Sequence, residues 1–231
     1  GRQLDPVPGL HNGRWTPSPG FRNADDPAKQ SALRGYVHAV VGVHRNDARI
    51  VAWDLFNEPG NTNRGNESLP LLVNCFRWAR ECGPEQPLTA GVWRTDLHDS
   101  VNCAMLELSD VISFHSYQSY EKLVVTIKDL ERYGRPLLLT EWLHRINHNN
   151  FAEIYPLLYI TNVANYCWGF VVGKTQTHEP WPSLWEECDR GGGDRYDFTK
   201  WQHDLFRPNL RPYDPREIAL IKKFNALADA D

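Results

Sequence analysis

The stretch Ile50–Pro59, with the sequence Ile-Val-Ala-Trp-Asp-Leu-Phe-Asn-Glu-Pro, constrains the fold more than any other part of the chain. It is an almost continuous apolar run, typical of a short strand that is buried on both faces in a parallel sheet. Pro59 has no backbone N–H and disfavours helical geometry at Glu58, so the strand is predicted to end there. Asn57 and Glu58 would then lie at the carboxyl end of the strand, where parallel α/β proteins place their chemistry.

A second stretch has the same design. Leu137–Trp142 is an apolar run that ends in a carboxylate and then an aromatic residue, Leu-Leu-Leu-Thr-Glu-Trp. Because the carboxyl ends of parallel strands meet at one edge of a sheet or one end of a barrel, Glu58 and Glu141 are predicted to face a common site. A structural role for the two carboxylates, as ion-pair partners, is the alternative.

Strand-like and helix-like patterns alternate along the chain, which predicts a parallel sheet with right-handed crossovers. Predicted strands end at Glu58, Trp93, Tyr117, Glu141 and Gly173. Predicted helices span 28–44, 69–82, 120–133, 150–162 and 216–227, and the loop 181–211 is expected to contain a short helix near 198–206.

Two architectures use five such strands. In a doubly wound sheet a glycine-rich phosphate loop would be expected after a strand, but Gly191–Gly193 follows no strand and lacks the Lys-Ser/Thr of a P-loop. The other architecture is the last five units of a (β/α)8 TIM barrel, a fold that typically needs about 250 residues. The chain has 231 residues and opens on Gly1. We therefore predict an α/β fold, an incomplete TIM barrel, with residues 1–231 as a single catalytic domain that lacks its amino-terminal part.

Composition excludes several partners. The formal net charge is −4 and no basic cluster is present, so nucleic acid is not an expected partner. No apolar run reaches the ~18 residues of a membrane span. Five cysteines without CxxC spacing do not suggest a disulfide framework or a zinc site, and no cofactor or metal is predicted.

Two strand-end carboxylates are the requirement of retaining glycoside hydrolysis. One protonates the leaving glycosidic oxygen, and the other attacks the anomeric carbon to form a covalent glycosyl-enzyme. Glu58 suits the acid role and Glu141 the nucleophile. Asn57 could donate to the sugar hydroxyl next to the anomeric carbon, Tyr117 could donate to Glu141, and His115 could donate to Glu58 or to substrate.

The motifs Asn57-Glu58-Pro59, His115-Ser116-Tyr117 and Thr140-Glu141-Trp142, in that order on successive strands, resemble the clan A retaining glycoside hydrolases, most closely family 5, the cellulase family. The resemblance covers essentially the whole chain as the fourth to eighth barrel strands. It implies Glu58 as acid/base and Glu141 as nucleophile, supported by Asn57, His115 and Tyr117. The family's arginine from an early strand has no counterpart here, and the tryptophan expected after the last strand is displaced.

Other residues are weaker substrate-binding candidates. Trp93 ends a strand at the same level, where sugar stacking and packing are both reasonable. Lys174 or Trp181 could take the substrate-facing place after the last strand, and His11 and Trp15 are loop residues that could line subsites. The remaining histidines are expected on the surface or in loops.

The sequence thus predicts a glycosidase of the cellulase, mannanase or xylanase type, with an oligo- or polysaccharide as substrate. An inactive carbohydrate-binding remnant of such an enzyme is the alternative. Sugar identity, endo or exo action, oligomeric state and cellular compartment are not specified by these patterns.

Overall fold

The computed structural model describes residues 2–93 and 96–230. The chain forms two compact units. The first unit comprises Gly1–Thr16, Ser116–Asp129 and Leu139–Asp231, and the second comprises Pro17–His115 and Leu130–Leu138. The assignment of 1–231 to a single domain stays a prediction.

Helices and short parallel strands alternate in the second unit. In chain order its elements are α1 (Phe21–Asp25), α2 (Gln30–His44), β1 (Trp53–Asp54), α3 (Leu69–Glu81), β2 (Leu88–Thr89), α4 (Ser100–Leu108) and β3 (Ile112–His115). Short 3-10 turns lie at Pro27–Lys29 and Gly65–Ser68.

The packing of α2 against α3 follows from their apolar stripes. Leu72, Phe76 and Ala79 of α3 are fully buried, as expected for residues at three- and four-residue spacing. A neighbouring cluster that includes Trp78 of α3 receives Leu33 and Val37 from α2. The predicted helices over 28–44 and 69–82 are therefore confirmed.

The strand that begins at Ile50 was predicted too long. β1 covers only Trp53–Asp54, where it pairs in parallel with Leu88–Thr89 of β2, and the side chain of Val51 is 68% exposed. Asp54 is exposed as well, so the expectation of burial on both faces is wrong. Among the described residues β1 has a strand partner on one edge only. The strand predicted to end at Trp93 is likewise shorter, with one further bridge from Val92 to Phe114.

The first unit holds the carboxyl-terminal elements. They are most of α5 (Tyr120–Glu131), the end of β4 (Leu137–Glu141), then α6 (Phe151–Ile160), β5 (Ala164–Asn165), α7 (Pro182–Asp189) and α8 (Pro215–Ala228). Short 3-10 turns occupy Arg145–Asn147 and Gly193–Arg195.

Helices α6 and α8 pack through aromatic rings. Phe224 of α8 contacts Tyr155 and Tyr159 of α6, with ring centroids 5.8 and 5.4 Å apart. The side chain of Asn150 caps α6 by accepting from the backbone N–H groups of residues 152 and 153. The predicted helices at 150–162 and 216–227 are confirmed. None of the helices in the described part of the chain is both long and apolar enough to cross a membrane.

Two predictions for the carboxyl-terminal third are wrong. The strand predicted over 165–173 is reduced to β5 and an isolated bridge at Val171, and between them Gly169 has a left-handed φ of 84° that does not fit a strand. The segment 198–206 is not helical, because its backbone N–H groups bond elsewhere: those of Leu205 and Phe206 both donate to the Phe170 carbonyl. Helix α7 forms instead, in a stretch predicted as loop.

Candidate active site

Glu58 lies in a turn just after β1 rather than at the end of a strand. Its φ of 44° is left-handed, an uncommon conformation for a residue with a side chain, and one that is often found at functional sites. The turn continues through Gly60, whose N–H donates to Ser68 Oγ at 3.0 Å. The Glu58 side chain is 18% exposed, so its carboxylate is largely enclosed.

His115, the last residue of β3, holds the Glu58 carboxylate. Its Nδ1 lies 2.8 Å from Glu58 Oε1, and the His115 side chain is only 3% exposed. Asn61 donates to the other carboxylate oxygen. A Cβ at position 91 would lie 2.9 Å from His115 Nε2, so Gly91 is needed for this ring position. The expected contact between His115 and Glu58 is therefore present.

Asn57 and Trp93 flank the same turn. Asn57 is exposed and Trp93 is half-buried. The Trp93 indole N–H donates to the Pro59 carbonyl at 2.9 Å, so this side chain braces the turn that carries Glu58. Substrate contact by either residue stays a prediction.

Glu141 ends β4 in the first unit and is bound by Tyr117. The Tyr117 hydroxyl donates to Glu141 Oε2 at 2.8 Å, and the Ser116 N–H donates to the Glu141 carbonyl at 3.0 Å. Only 9% of Glu141 is exposed. The hydrogen bond predicted from Tyr117 is thus present and fixes one carboxylate oxygen.

Trp142 anchors the end of β4 from the other side. It is fully buried, its indole N–H donates to Asn165 Oδ1 at 3.1 Å, and its ring packs on Phe151 at 4.7 Å. The residue after the strand-end carboxylate is therefore a core residue, which limits backbone movement at Glu141.

Trp181 is held beside Tyr117 by polar contacts at both ends. Its backbone N–H donates to Gln202 Oε1 at 2.8 Å, and its indole N–H donates to His11 Nε2 at 3.1 Å. Nδ1 of His11 in turn lies 2.7 Å from the Glu179 carbonyl, so the imidazole is neutral with its proton on Nδ1. The Trp181 and Tyr117 rings meet edge to face, with centroids 5.1 Å apart.

Three histidines surround these rings and form, with them, a histidine–aromatic cluster that the sequence analysis missed. Its members are His11, Tyr117, His144, Trp181 and His203. His144 and His203 lie outside the helices and named strands, in line with the expected loop position. They are only 2% and 0% exposed, so they are not surface residues. Single histidines in loops carry no periodic signal, and only the fold brings them together.

Burial keeps the cluster uncharged. It lowers the pKa of His144 to about 4 and holds the pKa values of His11 and His203 below the usual range, because the charged imidazole loses its hydration. His203 contacts the Leu143 carbonyl through Nδ1, and its Nε2 accepts from the Gln202 amide at 2.9 Å. All three rings are therefore neutral at pH 7.

Lys174 and Trp15 lie in more open surroundings. The Lys174 ammonium is 3.1 Å from an Asp5 carboxylate oxygen, and its side chain is 71% exposed. Trp15 is 56% exposed. Within the first unit, neither the Lys174 nor the Trp15 side chain contacts Glu141. Their role in substrate binding stays a prediction.

The neutral histidines predict a pH-dependent stability. Below pH 6.5 the unfolded chain binds a proton at His144 that the folded chain does not, so stability falls as the pH decreases and the loss is complete near pH 4. A shift of this size is worth about 3 kcal/mol. Urea unfolding at pH 7 and pH 4.5 should show this loss, and His144→Phe should flatten the dependence. An equal pH dependence in the variant would contradict the assignment of a neutral, buried His144.

No protein-family model and no curated protein matches the sequence. Solved structures do match. Xylanase 10B from Thermotoga maritima aligns with a TM-score of 0.52 at 16% identity over 87% of this chain and 68% of that chain. A β-D-glucuronidase from Dictyoglomus thermophilum aligns with a TM-score of 0.57 at 14% identity over 87% and 36%. An endo-1,4-β-mannanase from Rhizomucor miehei aligns with a TM-score of 0.50 at 12% identity over 64% and 55%.

These neighbours are TIM-barrel glycoside hydrolases, and the chain shares with them an α/β fold built on parallel strands. The class that these likenesses define is therefore an α/β fold of the TIM-barrel type with parallel strands. At identities of 12–16% the likeness establishes the fold alone.

Proposed function

We propose that this protein is a retaining β-glycoside hydrolase that cleaves O-glycosidic bonds in β-linked glycans or oligosaccharides. Glu141 is the nucleophile and forms the glycosyl-enzyme. Glu58 is the general acid, which protonates the leaving oxygen, and then the general base, which activates water in the second step. The reaction needs no cofactor or metal.

One observation carries the proposal. Each of the two glutamates is enclosed and oriented by a neighbouring side chain: His115, the last residue of β3, lies 2.8 Å from Glu58, and the Tyr117 hydroxyl lies 2.8 Å from Glu141. Enclosed carboxylates with fixed orientation suit a site that must present one as a nucleophile and one as a proton donor. The solved structures with the same fold, among them xylanases, a mannanase and glucuronidases, support the same reaction class.

The supporting residues have distinct roles in this mechanism. Tyr117 donates to the attacking carboxylate and keeps it aimed at the anomeric carbon. Asn57 donates to the adjacent sugar hydroxyl, a contact that strengthens in the transition state. Trp93, Trp181 and Lys174 are the further residues that we assign to binding of the sugar chain.

A mechanism-based label tests the proposal. Dinitrophenyl 2-deoxy-2-fluoro β-glycosides of xylose, glucose and mannose slow the second step, so the covalent intermediate accumulates. Peptide mass analysis should locate the sugar on Glu141. Turnover without labelling, or a label on another residue, would contradict the mechanism. Binding of oligosaccharides without any turnover would instead favour the carbohydrate-binding remnant.

The resemblance to glycoside hydrolase family 5 and the incomplete barrel are part of the same proposal. Among the described residues β1 has one free edge, and α2 presents the apolar residues Tyr36 and Val43 to solvent, 68% and 74% exposed. A preceding strand and helix of the barrel would cover such an edge and such a face. Three strand–helix units encoded upstream of Gly1, with an arginine at one strand end, would support this part of the proposal, and an unrelated upstream sequence would contradict it.

A further inference from the structure

His144, three residues after Glu141, is a buried side chain with unused hydrogen-bonding capacity. Only 2% of the residue is exposed, and neither ring nitrogen has a hydrogen bond of normal geometry within the described part of the chain. The nearby Tyr117 backbone raises the pKa of His144, but the loss of hydration on burial lowers it by more. A buried polar group without a proper partner is unfavourable and indicates a missing partner.

The surroundings of this imidazole are aromatic. The Trp181 ring lies over it with centroids 4.6 Å apart, and Tyr117 meets it edge-on at 6.3 Å. Trp181 is only half-buried, so part of its ring surface is accessible. Aromatic faces of this kind bury the apolar C–H face of a ligand, while a polar group at their edge fixes its orientation.

The charge state of the cluster restricts the ligand. His11, His144 and His203 are neutral at pH 7 because burial lowers each pKa. The nearby Arg145 guanidinium is already bound by the Glu217 carboxylate at 2.6 Å. A neutral imidazole offers one donor and one acceptor, as a hydroxyl group does. A carboxylate placed here would lose its hydration without gaining a counter-charge.

We propose that Trp181, Tyr117 and His144 form a sugar subsite next to Glu141 that accepts a neutral sugar ring and excludes a uronic acid. A ring hydroxyl supplies the hydrogen bond that His144 lacks, and the sugar packs on the Trp181 face. Since the imidazole nitrogens are shielded from solvent, the Trp181 ring turns to admit the hydroxyl and gives up its bond to His11. The inference rests on the proposed glycosidase function and adds a substrate class to it.

Calorimetric titration with matched ligands tests the inference. The probes are xylotetraose, mannotetraose, cellotetraose and the C6-oxidised counterpart of cellotetraose, in which each hydroxymethyl group is a carboxylate. At pH 7 at least one neutral tetraose should bind, and the acidic counterpart should bind at least tenfold more weakly than the best neutral ligand. Failure of every neutral tetraose to bind, or equal affinity for the acidic ligand, would overturn the inference.

Two variants isolate the role of His144. His144→Phe keeps a planar ring but removes both nitrogens, and it should weaken binding of the neutral tetraose at least tenfold. His144→Gln keeps a donor group and an acceptor group and should bind within about threefold of the unmodified protein. Near-UV circular dichroism shows whether the His144→Phe protein is folded. Unchanged binding by the folded variant would overturn the inference. If the variant does not fold, the comparison of neutral and acidic ligands decides the case.

Turnover assays on the same samples separate this inference from the proposed function. Binding of neutral sugars that depends on His144 but is not followed by cleavage would contradict hydrolysis and leave the subsite in place. Cleavage with no dependence of binding on His144 would support hydrolysis and overturn the subsite alone.

Discussion

Replacement of Glu141 by alanine should lower the turnover of aryl β-glycosides by about 10,000-fold or more, because it removes the group that forms the covalent intermediate. Glu141 ends β4, is 9% exposed, and is aimed by the Tyr117 hydroxyl at 2.8 Å. Alanine leaves that hydroxyl and the fully buried Trp142 in place, so the backbone of the site should be retained. Steady-state kinetics with a good leaving group measure the loss.

Chemical rescue separates loss of a nucleophile from loss of structure. Azide can occupy the space left by the Glu141 side chain and attack the anomeric carbon directly, which should restore part of the turnover and give the α-glycosyl azide. Glu153→Ala is a matched control. Glu153 is an exposed residue in the first turn of α6, and among the described residues it has no hydrogen bond to a candidate site residue. Retention of normal turnover in Glu141→Ala, or equal losses in the two variants, would contradict the nucleophile assignment.

Tyr117→Phe should have a smaller effect than Glu141→Ala, because it removes one orienting hydrogen bond and leaves both carboxylates. A loss of about 10- to 100-fold in kcat, with little change in KM, would fit a positioning role.

Local sequence patterns predicted the parts of this fold that depend on periodicity. Helices α3 and α8 follow three- and four-residue apolar spacing, and both occur close to their predicted bounds. The contacts from His115 to Glu58 and from Tyr117 to Glu141 were also expected, because alternation in the strand predicted to end at Tyr117 would place both side chains on one face. The observed strand β3 ends earlier, at His115.

The rest depends on interactions between segments that are distant in the chain. Gly169 faces the backbone of Asp204 at a distance that no side chain could tolerate, and no local pattern in the sequence predicts this contact. His144 and His203 lie in loops with no periodic pattern, so nothing local distinguishes them from surface residues. Their burial follows from the aromatic rings of Tyr117 and Trp181, which the folded chain brings against them.

Replacement of Arg145 by methionine should destabilise the protein by about 3–5 kcal/mol, because it leaves a buried carboxylate without its partner. The Arg145 and Glu217 side chains are 4% and 12% exposed and form two hydrogen bonds, of 2.7 and 2.6 Å. The guanidinium also donates to the carbonyls of His203 and Asp204 at 2.7 and 3.0 Å and lies over the Tyr213 ring at 4.6 Å. One side chain thus ties together the 203–204 segment and the start of α8.

Urea unfolding of three further variants determines whether the unpaired charge causes the loss. The double variant Arg145→Met/Glu217→Leu should recover part of the stability, since it removes the orphaned carboxylate. Arg216→Met is the matched control: Arg216 pairs with Asp214, but its side chain is 87% exposed, so its removal should change the unfolding midpoint little. Glu217→Leu alone should be about as damaging as Arg145→Met, because it leaves the buried guanidinium without its counter-charge. Equal stability of Arg145→Met and Arg216→Met would show that the buried pair does not hold α8 in place. If the double variant is no more stable than Arg145→Met, the loss is due to the carbonyl and ring contacts of Arg145 instead.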